Sequence, residues 1–313
     1  MALHTIEPER KTLHGQFSSD LAPALTIDSG DTIRYRTIDV GWGLDPPVAP
    51  GQPRRKFEPR IPERDSGPAL CGPVAIHGAK PGMALAIDIE VVQPDTWGWT
   101  YVGGKSSPLS PGVGLGEQPL HLVRWDLDTT RMVGTNQHGH TVALRPFLGT
   151  IGVTPAGPGW HSAWPPRTCG GNMDCRELVA GSTLYLPIEV AGALVSVGDG
   201  HAAQGDGEVC GMAIECPMER VELRYTLRDD LHITSPRAHT PAGWVTMGFD
   251  QDLHTATVQA LNAMLDLMEE QFQIPRADAF ALASVAVHLR TTQLVNVGIC
   301  GAHAILPHDA IRQ

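Results

Sequence analysis

The sequence predicts a mainly β protein of α+β class, with a β-sandwich or barrel core and a pair of helices near its C-terminal end. Three observations carry this reading. Up to about residue 230 apolar residues alternate with period two, punctuated by Gly, Pro and Asp, as in many short antiparallel strands. After residue 250 the period lengthens to that of an amphipathic helix. No fixed-period repeat or low-complexity linker interrupts the chain, and 313 residues with 42% hydrophobic and 18% charged positions suffice for a large core. The expectation is therefore one domain over 1–313, with a β-rich core over 1–230 and a helical hairpin with a return strand over 250–313.

The elements follow in order. LTIDSGDTIRYRTID reads as a hairpin: Leu25 and Ile27, a turn at Ser29-Gly30, then Ile33, Tyr35 and Thr37 on one face. PGMALAIDIEVV presents Leu85, Ile87, Ile89 and Val91 on one face, and VELRYTLR does the same with Val221, Leu223, Tyr225 and Leu227. Residues 95–118, rich in glycine and weakly periodic, read as a long loop or flap. Leu261, Met264, Leu265, Met268 and Phe272 form a helical stripe ending before Pro275. A second helix is expected from Ala277 to about Leu289, then a return strand, QLVNVG.

Composition excludes several functions. With 23 Lys+Arg against 34 Asp+Glu the formal charge is −11, which repels polyanions, so nucleic acid is not an expected partner. The segment MALHTIEPERKTLHG lacks a signal-peptide apolar core, and no run reaches the roughly 20 apolar residues of a membrane span. A cytoplasmic location without membrane partners is expected. The six cysteines show no CxxC pair, so reduced, mostly buried thiols are expected. GxSxG, GxxxxGK[ST] and HExxH are absent, and the window Gly41-Trp42-Gly43 is an incomplete glycine motif.

Acids and a histidine concentrate between Gly170 and Glu215. In SVGDGHAAQGDGE, Asp199 and His201 flank Gly200 and can point the same way, with Asp206 and Glu208 following among glycines that let backbone approach a ligand. That set suits a hard or borderline divalent cation, zinc with a mixed His/carboxylate shell, or calcium or magnesium with more oxygens. Tight Asp-Gly turns and a hydrogen-bonded core histidine explain the same residues without any ligand. Asp174, after Gly170-Gly171-Asn172, and His161, on a Pro-bounded loop, stand between the same two readings. Cys210 is either a nucleophile with His201 as base or core packing. Glu208 and Glu215, seven apart on an expected strand, should face opposite sides and form no acid/base couple. His138 and His140 resemble a hairpin tip.

The fragments HGQFSSDLAPALTIDSGDTI, RPFLGTIGVTPA, HSAWPPRTCGGNMDCRELVAGSTLYLPIEVAGALVSVGDGHAAQGDGEVCG and LRTTQLVNVGICGAHAILP resemble the acetamidase/formamidase family over nearly the whole chain. The resemblance implies a jelly-roll-like β core, self-association into a homo-oligomer, a bound divalent metal, and hydrolysis of short linear amides such as formamide or acetamide to ammonia and the acid. Carried onto this sequence, it implies Asp174, His201, His161 and Asp39 as metal ligands and Glu208 and Asp199 as catalytic carboxylates. Gly170, Gly171, Asn172 and Gly200 would then face the substrate or its oxyanion. Thr168-Cys169 before Gly170, where NGGN is commoner, and His288, where an acid is commoner, depart from the pattern and leave room for a different small or cyclic amide. A Cys-dependent covalent amidase and a non-catalytic binding protein are the alternatives.

Overall fold

The computed structural model describes residues 1–103 and 106–312. Two large sheets face one another. The first has nine strands, in the order Leu3–Ile6, Thr32–Tyr35, Met218–Arg228, Ala84–Pro94, Ser182–Pro187, Arg237–Thr240, Gly243–Asp250, Ile299–Leu306 and His288–Asn296. The second has six, running Gly170–Asn172, Phe147–Gly152, Val195–His201, Leu70–Ile76 and Leu13–His14, with Leu25–Ile27 parallel to Leu70–Ile76. Period-two faces decide the packing. Ile33, Tyr35, Leu85, Ile87, Val221, Leu223 and Tyr225 from the first sheet join Val74, Leu148, Ile151, Val195 and Val197 from the second in one buried core. The fold class read from the sequence is thus observed as a β-sandwich with two helices near the C-terminal end.

The helices Leu253–Phe272 and Arg276–Ala286 cover one end of the nine-stranded sheet. Asp252 caps the first, its carboxylate accepting from the Thr255 amide at 3.0 Å, and Gln273 closes it in a left-handed conformation ahead of Pro275. Met264, Leu265 and Met268 of the expected stripe are buried, against Ala302, Ala304 and Leu306 among others. Gly248 permits this approach, because a Cβ there would lie 2.1 Å from the Ala256 carbonyl oxygen.

Three local expectations are corrected. The segment 25–37 turns at Gly30, but its arms join different sheets: Thr32–Tyr35 is claimed by Leu3–Ile6 and Met218–Arg228, and Asp31 ties that edge to the Ala2 amide. Residues 97–102 are no loop but the strand Trp97–Val102, paired with His121–Asp128 in a four-stranded sheet; residues 104 and 105 of the expected flap lie outside the described residues. The second helix ends at Ala286, because His288 already pairs with Ile305 in a longer return strand. Pairing across a sheet overrides local helical periodicity in the last case.

Candidate active site

The strand Val195–His201 lies inside the six-stranded sheet, between Phe147–Gly152 and Leu70–Ile76, and carries Asp199 and His201, both buried. Opposite them Gly149 supplies space: a Cβ there would stand 2.5 Å from Asp174 Oδ1, 2.6 Å from Asp199 Oδ2 and 2.8 Å from His201 Cε1. Asp174 emerges from the strand Gly170–Asn172, and its amide donates to the Gly149 carbonyl at 3.2 Å. Glu208 arrives on the turn after Gly207, whose amide is tied to the Thr292 carbonyl at 3.0 Å. Asp174, Asp199 and Glu208 hold left-handed backbone, with φ of 49°, 59° and 45°. Such conformations cost about 1–3 kcal/mol each and persist where surrounding structure enforces them.

These side chains converge on one imidazole. His201 Nε2 lies 3.3 Å from Asp199 Oδ1 and 3.4 Å from Glu215 Oε2, while Nδ1 lies 2.9 Å from Gln204 Oε1 and 3.9 Å from Asp174 Oδ1. Gln204 donates its amide nitrogen to the Asp174 carbonyl at 2.8 Å, so its oxygen faces the ring and Nδ1 carries the proton. In the neutral ring Nε2 then turns its lone pair toward two carboxylates. Single atoms from Asp174, His201 and Glu208 lie within 4.8 Å of one another, as do atoms from Asp199, His201 and Glu215. Asp174 Oδ2 accepts from Asn296 Nδ2 at 2.5 Å, whereas Asp174 Oδ1, Glu208 Oε2 and Glu215 Oε2 are buried without a hydrogen-bond partner.

The electrostatics follow from the burial of four carboxylates around one histidine. Burial pushes the Asp174 carboxyl up to about 7, against the pull of His201 and with the push of Asp199. Burial and the Asp174 charge raise Glu208 well above the usual carboxylate range, and burial raises Glu215 against the pull of His201. Burial alone would lower His201, but Glu215 and Asp199 overcome it and raise the imidazole well above its ordinary value. A buried set of this charge is stable only with bound protons or a cation among the oxygens. The orphaned oxygens and the donor set of carboxylates with one imidazole fit a divalent ion.

The sequence matches the family described as the Acetamidase/Formamidase family over residues 3–161 and 160–313. The chain belongs to the acetamidase/formamidase family. It is 29% identical over 261 residues to a putative formamidase of Schizosaccharomyces pombe, covering 66% of this chain and 62% of that protein. It is 51% identical over 256 residues to a formamidase of Methylophilus methylotrophus, covering 65% and 61%. The chain thus spans less than two thirds of the length of these curated relatives. Its fold matches the crystal structure of a predicted acetamidase/formamidase from Thermoanaerobacter tengcongensis with a TM-score of 0.83 at 24% identity, covering 98% of this chain and 96% of that one.

Against this family frame the expected site residues divide. Asp174, Asp199, His201 and Glu208 are brought together. His161 is not: it sits on the short strand His161–Ser162, paired with Gln16–Phe17, with Nε2 3.4 Å from the Gly157 carbonyl oxygen. Nor is Asp39, whose carboxylate is consumed by Trp99 Nε1 at 2.5 Å, Arg54 at 2.6 Å and the amides of Gly41 and Gly43. The Gly170 amide donates to the Arg167 carbonyl, Gly171 accepts from Met173, and Asn172 accepts from the Thr150 hydroxyl at 2.5 Å. Gly200 pairs with Leu148 and accepts from the Cys216 amide.

Glu208 and Glu215 both reach His201, which corrects the expectation that they face apart. No regular strand joins them: Glu208, Gly207 and Gly211 have positive φ, and Glu215 is held by isolated bridges to Trp99 and His201. Glu215 was set aside on the expectation of a regular strand, and Gln204 and Asn296 were not singled out from the sequence. The signal for Glu215 was an acid inside the apolar run GMAIECPM, costly to bury without a partner. For Gln204 and Asn296 no local signal exists.

Proposed function

We propose that this chain hydrolyses a short-chain linear amide to ammonia and the carboxylic acid. The observation that supports this best is the buried convergence of Asp174, Asp199, Glu208 and Glu215 on His201, with three carboxylate oxygens left without partners, in a member of this family. His201 Nε2 with Asp199 and Glu215 would hold a divalent ion, since Nδ1 is committed to Gln204. This gives Asp199 to the ion, and leaves Asp174, first expected as a ligand, beside Glu208. A divalent ion in such a setting acidifies water and polarises a carbonyl, the two aids that a resonance-stabilised amide requires.

The chain's own groups do the proton work. Glu208 accepts a proton from the attacking water as its oxygen bonds to the carbonyl carbon, and returns it to nitrogen as the carbon–nitrogen bond breaks. Asp174, oriented by Asn296, stands next to Glu208 and favours a proton there through its charge. Burial excludes bulk water and strengthens each interaction. A covalent route has less support, because burial raises the thiols of Cys210 and Cys169, the latter to about 12.

The test is ammonia release from formamide, acetamide and larger amides before and after exhaustive chelation, with elemental analysis of the same sample. Release that stops on chelation and returns with one divalent ion supports the reading. Failure to release ammonia from any amide in the metal-loaded protein overturns it.

A further inference from the structure

Outside the buried cluster, an open cleft of about 310 Å³ adjoins Gln204. Its lining includes Arg145, Arg176, Gln204, Trp125, Val142 and Ile214. Gln204 belongs to both places: it lines the cleft, and its side-chain amide contacts His201 Nδ1 at 2.9 Å and the Asp174 carbonyl at 2.8 Å. Gln204 therefore links the cleft to the buried cluster. Formamide or acetamide would leave most of this space and its apolar wall unused.

The charges differ in kind. Arg145 is committed to Glu177, its Nη2 lying 2.5 Å from Oε2, and Arg290 lies 3.4 Å from both Glu177 and Asp206. Arg176 has no acid within ion-pair distance among the described residues, and its buried Nε has no hydrogen-bond partner. With no ion pair among the described residues, the Arg176 guanidinium stands free at the lining of the cleft, and a planar carboxylate is the ligand whose geometry matches its terminal nitrogens. The indole of Trp125 with Val142 and Ile214 offers apolar surface for a few methylene groups beside it.

We propose that this cleft is a recognition subsite for an anionic acyl chain, so that the substrate is the monoamide of a short dicarboxylic acid. Arg176 takes the carboxylate, the apolar wall takes the methylenes, and the amide end is directed past Gln204 toward His201 and Glu208. The carboxylate is thereby kept away from the four acids that would repel it. This proposal rests on the amidase reading above.

The experiment compares succinamate and glutaramate with the neutral amides butyramide and valeramide, in the wild-type chain, Arg176→Met and Arg176→Lys. In the wild type kcat/KM for the anionic member of each pair exceeds that for the neutral one by about tenfold or more, and Arg176→Met removes most of this ratio through KM while Arg176→Lys keeps part of it. Equal wild-type rates on succinamate and butyramide, or a ratio unchanged by Arg176→Met, overturn the proposal. Calorimetric binding of succinate separates it from the amidase reading. If no amide is hydrolysed but succinate binds and Arg176→Met abolishes binding, the subsite stands and the amidase reading falls. If succinate does not bind and the anionic amides hold no advantage, the subsite is refuted.

Discussion

Substituting Gly149→Ala tests the site with the smallest chemical change available, a single methyl group. The added Cβ would lie 2.5 Å from Asp174 Oδ1, 2.6 Å from Asp199 Oδ2 and 2.8 Å from His201 Cε1, so three members of the cluster must move together. Ordinary carbon–oxygen contact requires each to retreat by roughly 0.5–1 Å, and overpacking of this kind costs about 1–3 kcal/mol. Only part of that cost appears as lost stability, because the acids can shift away from one another. The chemistry is less forgiving, since a misplacement of about 1 Å at reacting groups lowers turnover by about a hundredfold. The expected outcome is a folded protein whose melting temperature falls by only a few degrees, whose divalent metal content drops, and whose ammonia release from acetamide falls by about two orders of magnitude. Circular dichroism, elemental analysis and an ammonia assay on one preparation measure all three. Ammonia release within threefold of the parent at unchanged metal content would refute the assignment of the reacting centre to this cavity.

Further outcomes follow from the same geometry. His201→Ala removes the imidazole shared by both acid groups, so metal binding and turnover should be lost together, and a variant that keeps both would show that the ion sits elsewhere. Asn296→Ala frees Asp174 Oδ2 from its donor and should lower kcat more than it raises KM; an effect confined to KM would count against an orienting role. His14, buried with its ring between Ser196 Oγ and the Gln16 carbonyl, has its pKa lowered by burial from 6.5 to about 4. The unfolded chain then binds the extra proton between these values, so stability is full above pH 6.5, falls as pH drops toward 4, and levels off below. The shift corresponds to about 3 kcal/mol, read as the urea midpoint at pH 7.5 against pH 4.5, and His14→Gln should flatten the dependence. Iodoacetamide at neutral pH should leave ammonia release intact, because burial raises the Cys210 thiol; stoichiometric inactivation would revive a covalent route.

The β class, the faces carrying Leu85, Ile87, Val221 and Leu223, and the helical stripe through Met264 and Met268 were all legible in the sequence, because burial on one face writes its period directly into the residue order. Asp174, Asp199, His201 and Glu208 were legible for a different reason: polar groups amid glycines and apolar strand formers have few inexpensive explanations. What the sequence misplaced depended on distant partners. His161 and Asp39 carry suitable chemistry, yet one pairs with Gln16–Phe17 and the other is saturated by Arg54 and Trp99, contacts no local pattern announces. Glu215 was hidden by the assumption of a regular strand, and Asn296 reaches Asp174 across 122 positions of sequence. Period and composition therefore determined which segments bury a face and which residues are chemically expensive. Only the tertiary structure decided which of those residues share a cavity, because that depends on strand order and on a glycine at 149 that leaves room for three side chains to meet.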